Sequence, residues 1–235
     1  MPLQGRVAVV TGGTGALGRA VAVHLAALGA SVHVPWIVKE EVEDCRSSLG
    51  SGFGLLTLHE ANVAQEADVK RFFAAAGAGG RIDILVNIVG GFAFAGLGDT
   101  DLATWQRMLE VNATSCFLCC REALPYMEKA HGGRIVNVAA GPALKGGAAG
   151  MSAYGAAKAA VWNFTQSLSQ ELVTKRITVN AIVPSIIDTP ANRRAMPNAD
   201  PAAWLPPARI AEVIEFLVLD ASSIVTGSAI NLSLG

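Results

Sequence analysis

The sequence predicts an α/β fold: a doubly wound parallel sheet of about seven strands with helices on both faces. Three observations carry that expectation. Short apolar runs alternate with helical patterns along the chain, the arrangement in which a parallel sheet is covered on both sides. A glycine-rich turn, Thr11-Gly12-Gly13-Thr14-Gly15-Ala16-Leu17-Gly18, follows the first apolar run and opens the first helical one. Tyr154 and Lys158 stand four residues apart about two thirds of the way along, one turn apart on a single helix face.

Residues 6–11 read as a buried strand, a short apolar run ended by glycine. Residues 16–28 have helical spacing, and Gly29 stops them. A second strand is expected over 31–36, a polar helix over 39–49, a third strand over 54–59 and a third helix over 66–76. The fourth strand follows over 82–87. Residues 101–129 read as one long helical stretch that Asp99 or Asp101 can cap, with Pro125 late within it. Gly132-Gly133 turn the chain into a fifth strand over 134–138, before a long helix over 151–173 and a sixth strand over 177–183. A proline-rich segment covers 184–207, a helix 210–219 and a last strand 228–232. No linker, composition break or internal repeat divides the chain, so 1–235 reads as a single domain.

Composition narrows the function classes. Hydrophobic residues make up 51% of the chain and charged residues 16%, enough apolar material for a sizeable core. A formal net charge of -1 calls for neither nucleic acid nor an anionic membrane surface. The apolar run before the glycine turn is too short for a signal peptide, and no stretch approaches a membrane span. A cytoplasmic protein is expected. Cys116, Cys119 and Cys120 fall on one helix face beside Phe117 and Leu118. Packing or subunit contact is the expected role, with metal or redox chemistry as the alternative; no metal is expected.

The glycine turn predicts a cofactor. Gly12 permits the tight bend, and the small residues Ala16 and Gly18 let the helix begin close to a pyrophosphate, whose charge faces the helix N-terminus. At the end of the second strand an acid would hydrogen-bond a ribose 2′-hydroxyl, and an arginine would take a 2′-phosphate. The chain has Val34-Pro35-Trp36-Ile37 there, with Arg19 and Lys39 the nearest cations. Trp36 either stacks near the adenosine or packs as surface cover. NAD or NADP both remain open.

These residues together resemble the short-chain dehydrogenase/reductase family over nearly the whole chain. Its Thr-Gly-x-x-x-Gly-x-Gly pattern is matched by Thr11, Gly12 and Gly18, with Ala16 replacing the middle glycine. Asn87-Ile88-Val89-Gly90 resembles the family's Asn-Asn-Ala-Gly segment, and Val111-Asn112 its helix asparagine. Tyr154 and Lys158 match Tyr-x-x-x-Lys, Pro184-Ser185-Ile186-Ile187-Asp188-Thr189 resembles Pro-Gly-x-Ile-x-Thr, and Thr226-Gly227 the closing Thr-Gly. Shorter stretches are similar to the dihydropteridine reductase branch: Gly90-Gly91-Phe92, residues 188–193, residues 196–200 and Trp204.

The resemblance implies a Rossmann-like fold with an NAD or NADP cofactor. It implies Tyr154, Lys158 and Asn112 as catalytic residues. Cofactor contacts are expected from Gly12, Thr14, Gly15, Ala16, Leu17, Gly18, Trp36, Asn62, Val63, Asn87, Val89, Gly90, Tyr154, Lys158, Pro184, Ile187 and Thr189. It also implies a short substrate lid around 185–207, bordered by Arg193, Arg194 and Trp204, and a homodimer or homotetramer packed through the helices over 101–129 and 151–173.

One departure is chemical. Ala140 occupies the place of the family's catalytic serine, and Ser152, two residues from Tyr154, is on the wrong helix face to replace it. A free tyrosine has a pKa near ~10, and the neighbouring ammonium of Lys158 is expected to lower it, so that Tyr154 can pass a proton at neutral pH. By the same resemblance, Lys158 binds the nicotinamide ribose and Asn112 holds a water in the proton path. The expected substrate is an activated carbonyl, an imine or a quinonoid ring such as quinonoid dihydropteridine. The alternatives are a carbonyl or 3-oxoacyl reductase, and a non-catalytic cofactor-binding sensor.

Overall fold

In the computed structural model, which describes residues 1–144 and 146–234, the first half of the chain alternates strand and helix. It runs β1 (Val7–Thr11), α1 (Ala16–Ala27), β2 (Ser31–Trp36), α2 (Lys39–Leu49), β3 (Leu56–Glu60), α3 (Glu66–Ala76) and β4 (Ile84–Asn87). Then follow α4 (Leu102–Leu109), α5 (Ser115–Lys129), β5 (Gly133–Val138), α6 (Gly141–Leu144), α7 (Ser152–Leu172), β6 (Ile177–Pro184), α8 (Pro190–Ala195), α9 (Pro207–Val218) and β7 (Ala229–Leu232).

The seven strands are all parallel, in the order β3-β2-β1-β4-β5-β6-β7. The chain builds outward from β1 to β3, then returns to β1's other side with β4. That reversal leaves a crevice at the carboxyl ends of β1 and β4, where ligands of such sheets bind. Successive residues of β1 point to opposite faces. Val10 joins Val21, Leu25 and Ile214 under α1 and α9. Val9 joins Phe72, Cys119 and Val161 under α3, α5 and α7. Both faces are covered, which is why the strands read as unbroken apolar runs. Cys116, Cys119 and Cys120 pack within the second of these cores as free thiols. Among the described residues, no helix is long and apolar enough to cross a membrane.

Three stretches differ from the sequence expectation. The third strand begins at Leu56 rather than 54, because Gly50–Leu55 closes a 3-10 turn; the Arg46 guanidinium covers the Phe53 ring at 4.7 Å. The helical stretch over 101–129 is interrupted. Asp101 caps α4 by accepting a hydrogen bond from Thr104 N at 2.7 Å, and a π turn over Glu110–Thr114 then separates α4 from α5. Such turns are rare, and they gather at functional sites. Finally, the proline-rich segment is ordered by α8, by a 3-10 turn over Pro201–Ala203 and by a bridge between Ile187 and Leu205.

Candidate active site

A cavity of about 470 Å³ opens at the carboxyl ends of the central strands. The glycine turn forms its floor, through Gly12, Thr14, Gly15, Ala16, Leu17 and Gly18. Trp36, Ile37 and Val38 line it beyond β2, and Asn62 and Val63 beyond β3. Val89, Gly90 and Gly91 line it beyond β4, and Arg107 and Val111 line it from α4 and the turn that follows.

The turn is held by backbone contacts that leave no space for side chains. Gly12 has φ +66°, and a Cβ there would stand 3.2 Å from Val89 N. At Gly18 a Cβ would lie 2.0 Å from the Gly12 carbonyl oxygen. Thr11 Oγ1 accepts hydrogen bonds from Ile88 N at 2.9 Å and Val89 N at 3.2 Å, tying the turn to the segment after β4. Gly15 caps α1 without a side-chain hydrogen bond, so the first-turn amides of α1 meet the cavity uncapped. Uncapped amides and the positive end of the helix dipole suit a pyrophosphate. The residues present therefore fit a dinucleotide. Beyond β3, Asn62 Oδ1 accepts from Ala64 N at 3.0 Å and Asn62 N donates to Asp68 Oδ2 at 2.9 Å, which fixes the bend that presents Asn62 and Val63.

Tyr154, Lys158 and Asn112 are not in the cavity lining; Asn112 and Lys158 stand behind Gly90 at its β4 end, and Tyr154 lies one helical turn from Lys158. The π turn carries Asn112, whose Nδ2 donates to Gly91 O at 3.1 Å and Met108 O at 2.9 Å, while its Oδ1 accepts from Gly91 N at 3.2 Å. Both amide protons are thus committed to backbone, and the side chain clamps the loop after β4. A Cβ on Gly90 would meet Asn112 Oδ1 at 2.6 Å and Lys158 Nζ at 3.2 Å, so a side chain there would have to displace Asn112. Lys158 is 6% exposed and donates to Val138 O at 2.8 Å. The ring of Phe92 stands edge-on to Tyr154 with centroids 5.0 Å apart.

Burial governs both titrating groups. It lowers Lys158 from 10.5 to about 8, against a smaller opposing pull from Cys116. It raises Tyr154 above its ordinary value. The expectation that Lys158 would lower the phenol is corrected: burial raises it, and the ammonium is directed at the Val138 carbonyl. The phenol is held protonated, and the ammonium is mostly charged near neutrality.

Several expected contact residues lie elsewhere. Asn87 is buried, and its Nδ2 donates to Asn137 Oδ1 at 2.9 Å and Cys120 Sγ at 3.3 Å; it braces β4 against β5 and does not line the cavity. Pro184, Ile187 and Thr189 stand beyond the cavity wall, at the end of β6. Thr189 Oγ1 caps α8 by accepting from Asn192 N at 3.1 Å. Arg193 is paired with Asp188 at 2.6 and 2.8 Å, Arg194 is exposed, and Trp204 is buried at 4% exposure, which makes it packing rather than a border. Ala140 is buried directly after β5 and its methyl offers no donor, while Ser152 is exposed.

One residue escaped the sequence reading. Glu41, in the first turn of α2, lines the cavity and accepts a hydrogen bond from Thr14 Oγ1 at 3.0 Å. It sits in a polar helix whose pattern signals only solvent, and its partner lies 27 residues away.

Comparison with known proteins agrees with this geometry. The family described as short chain dehydrogenase matches residues 6–200. A cis-4-hydroxycyclohexanecarboxylate dehydrogenase of Sinomonas cyclohexanicum is 35% identical, over 95% of this chain and 93% of its own. A 3-oxoacyl-[acyl-carrier-protein] reductase of Synechocystis is 32% identical, over 99% and 97%. The solved structure of a Serratia marcescens short-chain dehydrogenase/reductase variant superposes with a TM-score of 0.88 at 27% identity, covering 99% of this chain and 98% of that one. With the parallel sheet, the glycine turn and the Tyr154–Lys158 helix on one scaffold, the chain belongs to the short-chain dehydrogenase/reductase family and is an NAD(P)-dependent oxidoreductase.

Proposed function

We propose that the protein reduces an activated carbonyl, imine or quinonoid substrate, with Tyr154 as the proton donor. The observation that carries this reading is a half-buried phenol, kept protonated by its surroundings, beside a buried ammonium at the β4 end of the dinucleotide cavity. A nicotinamide, when bound, supplies the hydride. Tyr154 gives its proton to the substrate oxygen or nitrogen as negative charge develops there. Lys158, charged near neutrality, stabilises the phenolate left behind. Asn112 holds Gly90 and Gly91 in place, which keeps that end of the cavity open.

Ala140 sets the substrate class. Without a hydroxyl there, a hydrogen bond to a partly charged substrate atom is lost, worth ~1.5–3 kcal/mol. Each ~1.4 kcal/mol is tenfold in rate. A simple ketone depends on that help, whereas a quinonoid dihydropteridine is already strongly electrophilic. The second reading, a carbonyl or 3-oxoacyl reductase, is favoured by the activity named for the Synechocystis relative. The segment 185–207 acts as the substrate lid. Exposed Leu102, Trp105 and Phe117 on α4 and α5 supply apolar surface for self-association.

Steady-state assays separate the readings. Quinonoid dihydropteridine, a 3-oxoacyl thioester and a simple ketone are offered to the wild type and to Ala140→Ser. Reduction of the quinonoid substrate by the wild type, with a gain of about tenfold on the ketone in Ala140→Ser, supports the proposal. An unchanged ketone rate and no quinonoid turnover end it, and reduction of the thioester alone selects the second reading. Dinucleotide binding without any turnover points to a sensor.

A further inference from the structure

We propose that Glu41 selects NAD(H) over NADP(H) by reading the adenosine ribose. This goes beyond the assigned family, which accommodates either dinucleotide, and it rests on the shape and charge of one end of the cavity.

The cavity has two distinguishable ends. Tyr154, Lys158 and Asn112 mark the β4 end. The opposite end lies beyond β2 and β3, so the adenosine half of an extended dinucleotide falls there once its pyrophosphate rests on α1. The end of β2 carries only apolar lining: Pro35, Trp36, Ile37 and Val38. The acid sought at that point in the sequence arrives from the next element. Glu41 reaches the cavity from the first turn of α2, and the hydroxyl of Thr14, itself 3% exposed, fixes its Oε2 at 3.0 Å. Thr14 belongs to the glycine turn, so the carboxylate is anchored to the same loop that receives the pyrophosphate. Its Oε1 remains able to accept from a ribose hydroxyl.

Charge at this end points the same way. Arg107 lines the cavity too, but it comes from α4 and not from the β2–α2 side that carries Glu41. Arg19 stays out of the lining, its Nε donating to Gly15 O and its Nη1 to Asp44 O, each at 3.3 Å. Among the described residues, the lining supplied by the end of β2 and by α2 therefore has a carboxylate and no lysine or arginine. A phosphomonoester carries about two negative charges near neutrality. Placed on the ribose 2′-oxygen it would lose the hydrogen bond to Glu41 and face like charge. A free 2′-hydroxyl donates to that carboxylate instead.

Titration of nicotinamide fluorescence with NADH and NADPH, without substrate, tests the inference. The wild type is expected to bind NADH about ten- to a hundredfold more tightly, the span of one hydrogen bond to a charged acceptor. Glu41→Gln retains an acceptor and removes the charge, so it closes most of that gap, chiefly by tightening NADPH. Thr14→Val releases the carboxylate and gives an intermediate ratio, with an unchanged melting temperature showing that the turn is intact. Equal affinities in the wild type, tighter NADPH, or a ratio unmoved by Glu41→Gln overturns the inference and leaves the enzyme class standing. Failure to bind either dinucleotide removes both.

Discussion

Lys158 donates its buried ammonium to the carbonyl of Val138 at 2.8 Å, although Tyr154 lies one helical turn away on the same face. The pair is thus arranged as a proton store and a nearby charge, not as a resting phenolate. Burial raises the phenol and lowers the ammonium, and each shift favours the neutral form of its group. The phenol therefore keeps its proton at neutral pH.

Tyr154→Phe keeps the ring that meets Phe92 and removes the proton. Turnover is expected to fall by about 10²- to 10⁴-fold, the usual contribution of a positioned acid. Dinucleotide affinity, read by fluorescence titration, is expected to stay close to that of the wild type. Comparable turnover in the variant would remove Tyr154 as the donor.

The depressed Lys158 makes stability depend on pH. Its folded pKa of about 8 lies below the ordinary 10.5, so the folded state binds fewer protons than the unfolded one between these values. The cost of burying the ammonium is present in full below about pH 8 and is relieved as pH rises toward 10.5, by an amount on the order of 3 kcal/mol. Tyr154, raised by burial, acts oppositely above its ordinary value. Urea denaturation at pH 7, 8.5 and 9.5 checks this. The wild type should gain stability relative to Lys158→Met across that range, and parallel curves would contradict it.

Gly18→Ala and Gly15→Ala form a matched pair. The first places a Cβ 2.0 Å from the backbone oxygen of Gly12, and the second places one 3.4 Å from the same atom. Backbone cannot step aside as a side-chain tip can, so Gly18→Ala is expected to cost about 3 kcal/mol and to abolish dinucleotide binding. Gly15→Ala should fold with a melting temperature near that of the wild type. Thermal unfolding and cofactor titration on both variants provide the readout.

Asn112→Ala removes the clamp on Gly91 and Met108. Three hydrogen bonds are lost, at a net cost of about 2–3 kcal/mol. The melting temperature is expected to drop by several degrees, and dinucleotide affinity to weaken because Gly90 and Gly91 line the cavity. A variant with wild-type melting and affinity would show that the loop holds itself.

The sheet was legible because burial on both faces leaves unbroken apolar runs such as Val7–Thr11, and because glycines mark where such runs end. The turn at Gly12–Gly18 was legible for a similar reason, since close backbone approach demands small residues. The interruption at Glu110–Thr114 was not. A π turn shifts the helical phase by one residue and leaves the composition helical, so periodicity passes over it. The spacing of Tyr154 and Lys158 gave their shared face but not the direction of the ammonium, which Val138, at the end of β5, determines. Glu41 was invisible because its meaning comes from Thr14, distant in sequence. Asn87 matched a family segment, yet its side chain faces Asn137 across two strands, a pairing that only the register of β4 and β5 reveals.

The π turn also fixes the rotational phase of everything that follows it. It takes up the one residue by which the chain overruns an α-helix, so α5 keeps its face on the sheet although the sequence count has slipped by one. Cys116, Cys119 and Cys120 therefore pack in the same core as Val9. Excising that residue would turn 110–114 into ordinary α-helix with α5 still in phase, and the damage would fall on the placement of Asn112.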